Sequence, residues 1–136
     1  MKYSIKELSE KFGIKASTLR YYEDCGILDG VGRNSSGQRI YQEKHLHRLG
    51  AIECFKDAGM TIEQIKRFFI YEADETQHIE DMMELLHGQE KEIVNQMEKL
   101  EKAHDHIKRK IRFYGDVQKS IECGTDRPCW SDYKEK

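Results

Sequence analysis

The sequence predicts a mainly α chain in which a winged helix-turn-helix domain is followed by a long coiled-coil helix. Three observations predict it: two pairs of short amphipathic helices broken by glycine, a turn-rich hairpin segment between them, and an apolar residue at every seventh position through the second half. Composition agrees. Of 136 residues, 38% are hydrophobic and 35% charged, which suits a thin core and a solvated long helix better than one thick globular core. The expected divisions are 1–73 for the winged domain, 74–119 for the coiled-coil helix and 120–136 for a tail.

The first element starts at Ser4. Ser4-Ile5-Lys6-Glu7 has the form of a capping box, and Ile5, Leu8 and Phe12 give the helix an apolar face before Gly13 ends it. A second helix follows from about Ala16 to Asp24. Two short helices joined by a glycine-containing turn form a helix-turn-helix, although any pair of short helices can look like this. From Gly30 to Tyr41, short Val and Ile/Tyr stretches flank Asn34-Ser35-Ser36-Gly37, which predicts a β-hairpin with Arg33 and Arg39 near its tip. Beside a helix-turn-helix such a hairpin is a wing able to lie along phosphate; the plainer alternative is a solvated loop with two arginines.

A second helical pair closes the domain. Glu43–Ala58 carries Leu46, Leu49, Ile52 and Phe55 at helical spacing, and Gly59 breaks it. Thr61-Ile62-Glu63-Gln64 is another capping box, opening a helix through about Ile70 with Ile62, Ile65, Phe68 and Phe69 as core candidates.

Beyond Asp74 the pattern becomes one long helix with no proline before Pro128. Ile79, Leu86, Ile93, Leu100, Ile107 and Tyr114 repeat every seven residues; the companion series Met83, Glu90, Met97, His104, Ile111 and Gln118 is half apolar. This is a coiled-coil seam. A helix of about 40 residues is roughly 60 Å long, too long to bury its seam on the small domain before it. A second copy of the chain is the simplest cover, making a homodimer with Ile79, Met83, Leu86, Ile93, Met97, Leu100, Ile107, Ile111 and Tyr114 at the contact.

Charge and cysteine usage bound the function. Net charge is −2, yet residues 1–41 hold seven Lys+Arg against five Asp+Glu, while residues 73–136 hold 11 against 15. The N-terminal end is therefore mildly basic, and placed cations rather than a general field would have to attract a polyanion. No apolar run approaches 18 residues, the first residues lack a signal-peptide core, and four cysteines at irregular spacing do not form a secreted framework. The expected location is the cytoplasm, with reduced thiols and no membrane contact. No nucleophile, base and orienter, and no phosphate-binding glycine loop, occur in a recognisable order, so an enzyme is not expected and no cofactor is implied.

These residues closely resemble the MerR family of bacterial transcription regulators. The resemblance lies in Ile5-Lys6-Glu7-Leu8-Ser9, Gly13-Ile14, Thr18-Leu19-Arg20-Tyr21-Tyr22-Glu23, Gly26-Ile27-Leu28, Gly37-Gln38-Arg39-Ile40-Tyr41 and Ala58-Gly59-Met60-Thr61-Ile62-Glu63-Gln64-Ile65. It implies that Ser17, Thr18, Arg20, Tyr21 and Tyr22 face the major groove and its phosphates, and that Arg33, Gln38, Arg39 and Tyr41 grip the backbone of double-stranded promoter DNA from the wing. Lys15 departs from the Ser or Thr often found as helix cap, which loses about 1 kcal/mol of capping and places a cation near phosphate. The resemblance further implies an antiparallel homodimer that distorts the promoter spacer for RNA polymerase in response to an effector.

Cys54 is the first candidate sensor, because its segment Ile52-Glu53-Cys54-Phe55-Lys56-Asp57-Ala58-Gly59 resembles the branch of the family answering to aldehydes and thiol-reactive electrophiles, a stress response. Lys56, Arg48 or His47 would favour the thiolate; the alternative is a small buried hydrophobe beside Leu49 and Ile52. The rival is a thiophilic metal held by Cys123 and Cys129, since metal-responsive members carry two cysteines after the long helix. Here the two lie close in sequence, and the helix start offers Thr76 and His78 instead of cysteine. Cys25, His104 and the His45/His47 pair read as structural or solvated. A DNA-architectural or recombination factor would share the winged domain, but such factors usually lack a long dimer helix.

Overall fold

The computed structural model describes residues 1–134. Its first helix is set by the capping box expected at Ser4. The Ser4 hydroxyl accepts from the Glu7 N–H at 3.1 Å, and the Glu7 carboxylate accepts from the Ser4 N–H at 3.1 Å. Helix α1 (Ile5–Phe12) follows and stops at Gly13, whose φ of 65° is left-handed and favours glycine. Helix α2 (Ala16–Asp24) starts on Lys15, which makes no side-chain cap.

The wing has one strand more than the expected hairpin. Strand β1 (Lys2–Ser4) precedes α1, and β2 (Gly32–Arg33) and β3 (Arg39–Gln42) form the hairpin. All pairing is antiparallel in the order β1-β3-β2, with Tyr3 opposite Tyr41 and Gly32 opposite Ile40. Three residues are too few to show the alternation that marks a strand. The turn was legible: the Asn34 side-chain oxygen accepts from the N–H groups of Ser36 at 3.0 Å and Gln38 at 2.9 Å. An asparagine folding back on its own turn is a local device that sequence displays.

Helices α3 (Glu43–Asp57) and α4 (Ile62–Ala73) are joined through Gly59 and a second capping box between Thr61 and Gln64. Helix α4 runs to Ala73, past the expected end near Ile70. Leu8, Leu19, Tyr22, Ile27, Leu28, Tyr41, Leu49, Ile52, Met60 and Ile65 form the core, with Leu46, Phe55, Ile62 and Phe69 partly buried against it. Phe55 and Phe68 meet edge to face at 4.9 Å between ring centres. Each fully buried Leu or Ile contributes about 1.5–3 kcal/mol, so this cluster is what holds the short helices in place.

Helix α5 (Glu75–Cys123) is continuous except at His78, whose φ of −125° and ψ of 15° leave the helical region; its imidazole stacks on Tyr71 at 4.9 Å. The chain divides into two compact units, Met1–Glu90 and Lys91–Lys136. The first includes the opening turns of α5 because Met82 is buried, Leu85 packs on the core, and the Gln89 amide donates to the Ala58 carbonyl at 2.6 Å. In the second, the segment after the helix folds back rather than trailing away. Trp130 and Tyr133 lie edge-on to Phe113 at 5.3 and 5.2 Å, Lys110 caps the Trp130 ring at 3.8 Å, and the Tyr133 hydroxyl donates to the Asp116 carboxylate. Phe113 is buried as a result, and Val117 is buried as well. No helix among the described residues is long and apolar enough to cross a membrane.

Candidate nucleic-acid interface

Helix α2 offers its outer face through Ser17, Arg20 and Tyr21, all exposed, with Lys15 exposed at its start and Thr18 half-buried. The wing is docked against the same helix. The Arg39 Nε donates to a Glu23 carboxylate oxygen at 2.5 Å, and this bond holds the guanidinium above its ordinary pKa. Arg33 and Gln38 are exposed on the hairpin, where the Arg33 guanidinium donates to the Gly37 carbonyl at 3.0 Å. The structure therefore brings together on one domain the cations that the sequence placed on separate elements.

Two expected contact residues are corrected. Tyr22 and Tyr41 are 1% and 0% exposed, so their rings belong to the core and not to a DNA-facing surface. The Tyr22 hydroxyl donates to Glu53 at 3.2 Å and accepts from the Lys56 ammonium at 2.8 Å. Burial raises the Tyr22 pKa, while the bond to Tyr22 raises that of Lys56. The Tyr41 hydroxyl is buried without a hydrogen-bond partner. Burial and then Glu23 push its pKa up, and Arg39, Arg20 and Arg33 oppose that. Tyr22 lies on a short helix and Tyr41 on a four-residue strand, and elements this short show too little periodicity to tell a core-facing aromatic from a solvent-facing one.

Sequence reasoning missed two supports. Glu23 anchors the wing; an acidic residue in a basic reading head carries no local signal for that role. His45 is 2% exposed, its Nδ1 accepts from the Gln42 N–H at 2.9 Å and its Nε2 lies 2.9 Å from the Asp29 carbonyl. The bond from Gln42 assigns the proton to Nε2, which then donates to Asp29. This imidazole clips the loop after α2 to the start of α3, and so sets where the wing leaves the recognition helix. His47 is exposed.

Cys54 is exposed, which excludes the buried-hydrophobe alternative. Of the cations expected near it, Lys56 is bonded to Tyr22 and Arg48 lies over the Phe69 ring at 3.9 Å. Cys123 and Cys129 are exposed. The Cys129 thiol is 3.0 Å from the Ser131 hydroxyl, whose hydrogen bonds lower its pKa. Among the described residues no group of three or more His, Cys, Asp or Glu side chains is placed to hold a metal ion. On α5 the heptad series stays largely uncovered, with Leu100 72% and Ile111 67% exposed.

Comparison with known proteins places this geometry. The MerR helix-turn-helix regulatory protein family model matches residues 3–72, and a MerR DNA-binding model matches residues 46–110. An HTH-type transcriptional regulator of Haemophilus influenzae, itself uncharacterized, is 35% identical over 84% of this chain and 84% of its own. The crystal structure of HiNmlR, a MerR family regulator lacking the sensor domain and bound to promoter DNA, superposes with a TM-score of 0.74 at 34% identity, covering 92% of this chain and 97% of that one. A MerR family regulator from Bacillus thuringiensis gives 0.67 at 30% identity, over 82% and 98%. With its capped helix pair, docked wing and long following helix, this chain belongs to the MerR family of DNA-binding transcriptional regulators.

Proposed function

We propose that the protein acts as a homodimer on a dyad promoter, with α2 of each copy in the major groove, Arg33, Gln38 and Arg39 on the flanking phosphates, and α5 pairing the copies. The observation that carries this reading is the uncovered apolar series of α5, from Ile79 to Tyr114, in the same chain as a DNA-reading domain. Burying half of those nine side chains on each of two copies stabilises association by about 13–27 kcal/mol. Association costs about 4–15 kcal/mol, which the gain exceeds over most of its range. Residues 74–90 carry six acidic residues and no Lys or Arg, whereas Lys108, Arg109, Lys110 and Arg112 cluster near the other end. Antiparallel pairing sets these opposite charges against each other; parallel pairing would stack like on like.

Two reading heads held by one rigid pair fit half-sites about one helical turn, or 34–36 Å, apart. A dimer that bends or untwists the spacer costs roughly 1–6 kcal/mol of DNA deformation, and an effector that biases dimer shape can switch RNA polymerase through that term without releasing DNA. The exposed thiol of Cys54 is the proposed sensor of thiol-reactive electrophiles or aldehydes, since it lies within the DNA-binding unit and HiNmlR is described as lacking a sensor domain. The metal reading keeps only the two exposed thiols of Cys123 and Cys129. Sedimentation of the chain with a duplex selected from a random pool tests the assembly. Two chains per duplex are expected; one chain per duplex contradicts it.

A further inference from the structure

Beside the wing, β1 and the first turn of α1 face the hairpin turn across a cleft of about 330 Å³. Lys2, Lys6 and Arg39 line it together with the amides Asn34 and Gln38, and none of its lining residues is acidic although the chain carries a net charge of −2. Of the nearby carboxylates, Glu7 accepts from the Ser4 N–H, Glu43 accepts from the Tyr3 hydroxyl at 2.6 Å, and Glu23 pairs with Arg39, so none of the three is engaged by Lys2 or Lys6. Lys2 and Lys6 are exposed and appear in no ion pair among the described residues. The Asn34 amide donates to the Gln38 side-chain oxygen at 3.1 Å, which turns the Gln38 NH2 group into a donor for something else. Two ammonium groups in no ion pair and an amide donor, beside a guanidinium whose Nε is already bonded to Glu23, are a receptor for an oxyanion.

We propose that this cleft holds a backbone phosphate of the duplex, beyond the stretch read by α2, with Lys2 and Lys6 neutralising it. The inference rests on the DNA-reading function. In a helix-turn-helix the first helix crosses the backbone while the second enters the groove, and here β1 and the start of α1 stand beside the wing whose Arg39 is tied to α2. Such a contact positions the protein and carries no base information.

The test is fluorescence anisotropy across a salt series, using the full chain with the duplex it selects from a random pool and with an unselected duplex. Lys2→Ala with Lys6→Ala weakens both duplexes by the same factor, about tenfold at low salt, and lowers the slope of log K against log salt by about 1 for each lysine that met a phosphate. Lys2→Arg with Lys6→Arg keeps both affinity and slope. An unchanged slope in the alanine variant overturns the proposal, as does a loss confined to the selected duplex. Binding of a free mononucleotide by the parent, lost in the variant while duplex binding stays intact, overturns it in favour of a soluble ligand. Should the parent select no duplex, it is the DNA-reading function that fails.

Discussion

Arg39 of the wing and Glu23 of the recognition helix share a 2.5 Å hydrogen bond between guanidinium and carboxylate. The pair ties the wing to α2, the two elements that the proposed function sets on different parts of the duplex. Its side chains are about a fifth exposed, so its worth for folding is small and its worth for orientation is larger. Glu23→Gln removes the negative charge beside Arg39 and, on the proposed mode of DNA binding, loosens the wing. Affinity for unselected duplex should rise while the ratio of selected to unselected affinity falls, with little change in the thermal midpoint. An unchanged ratio would contradict the docking role.

The two buried tyrosines predict opposite outcomes for one chemical change. Tyr22→Phe deletes a hydroxyl bonded to both Glu53 and Lys56 and should cost about 0.5–1.5 kcal/mol. Tyr41→Phe deletes a buried hydroxyl with no partner, and should be neutral or stabilising by up to about 1 kcal/mol. Urea unfolding of the two variants measures both; equal destabilisation would mean that Tyr41 has a partner in solution.

His45→Ala removes the clip between Asp29 and Gln42 and leaves a cavity. A loss of roughly 2–4 kcal/mol is expected. The same urea series reads it, and a loss below about 0.5 kcal/mol would show that the loop holds its place without the imidazole.

Much of the fold was legible where residues act on their near neighbours in sequence. The Ser4/Glu7 and Thr61/Gln64 boxes and the Asn34 turn work over about four residues and stand as expected, and the long helix that the heptads predict is present as α5. What could not be read depends on distant partners. Strand β1 exists only because β3 pairs with it across 38 residues, counted from Tyr3 to Tyr41. The burial of Tyr22 and Tyr41, the anchor at Glu23 and the return of Trp130 and Tyr133 onto Phe113 are likewise settled by packing. For the candidate interface, the cations were legible and their supports were not.

Cys129 gives a pH prediction with a definite sign. Hydrogen bonds from Ser131 stabilise its thiolate and lower its pKa, so at neutral pH more of it is reactive than of an ordinary thiol. Iodoacetamide labelling, followed by mass spectrometry over a pH series, should show Cys129 with a midpoint below the usual thiol value. Ser131→Ala should move that midpoint up; a midpoint insensitive to Ser131 would contradict the assignment.

The α5 seam predicts the state of the protein in solution. Leu100→Glu with Ile107→Glu places carboxylates on the exposed apolar face of α5 and should convert the proposed dimer into a monomer of 16.1 kDa by sedimentation. The first unit should keep its helical signal, because its core does not involve these residues. A variant that stays dimeric would place the contact elsewhere.

The most direct test of the central claim is the affinity of Arg20→Ala for the selected duplex, measured by anisotropy beside the parent chain. Arg20 is exposed on α2 and contributes nothing to the core, so stability should stay within about 0.5 kcal/mol of the parent. The account predicts at least a tenfold loss of affinity, matching the roughly 1–3 kcal/mol of a lost bidentate contact, with the selected sequence no longer preferred. A folded Arg20→Ala chain that binds the selected duplex as tightly as the parent would contradict it.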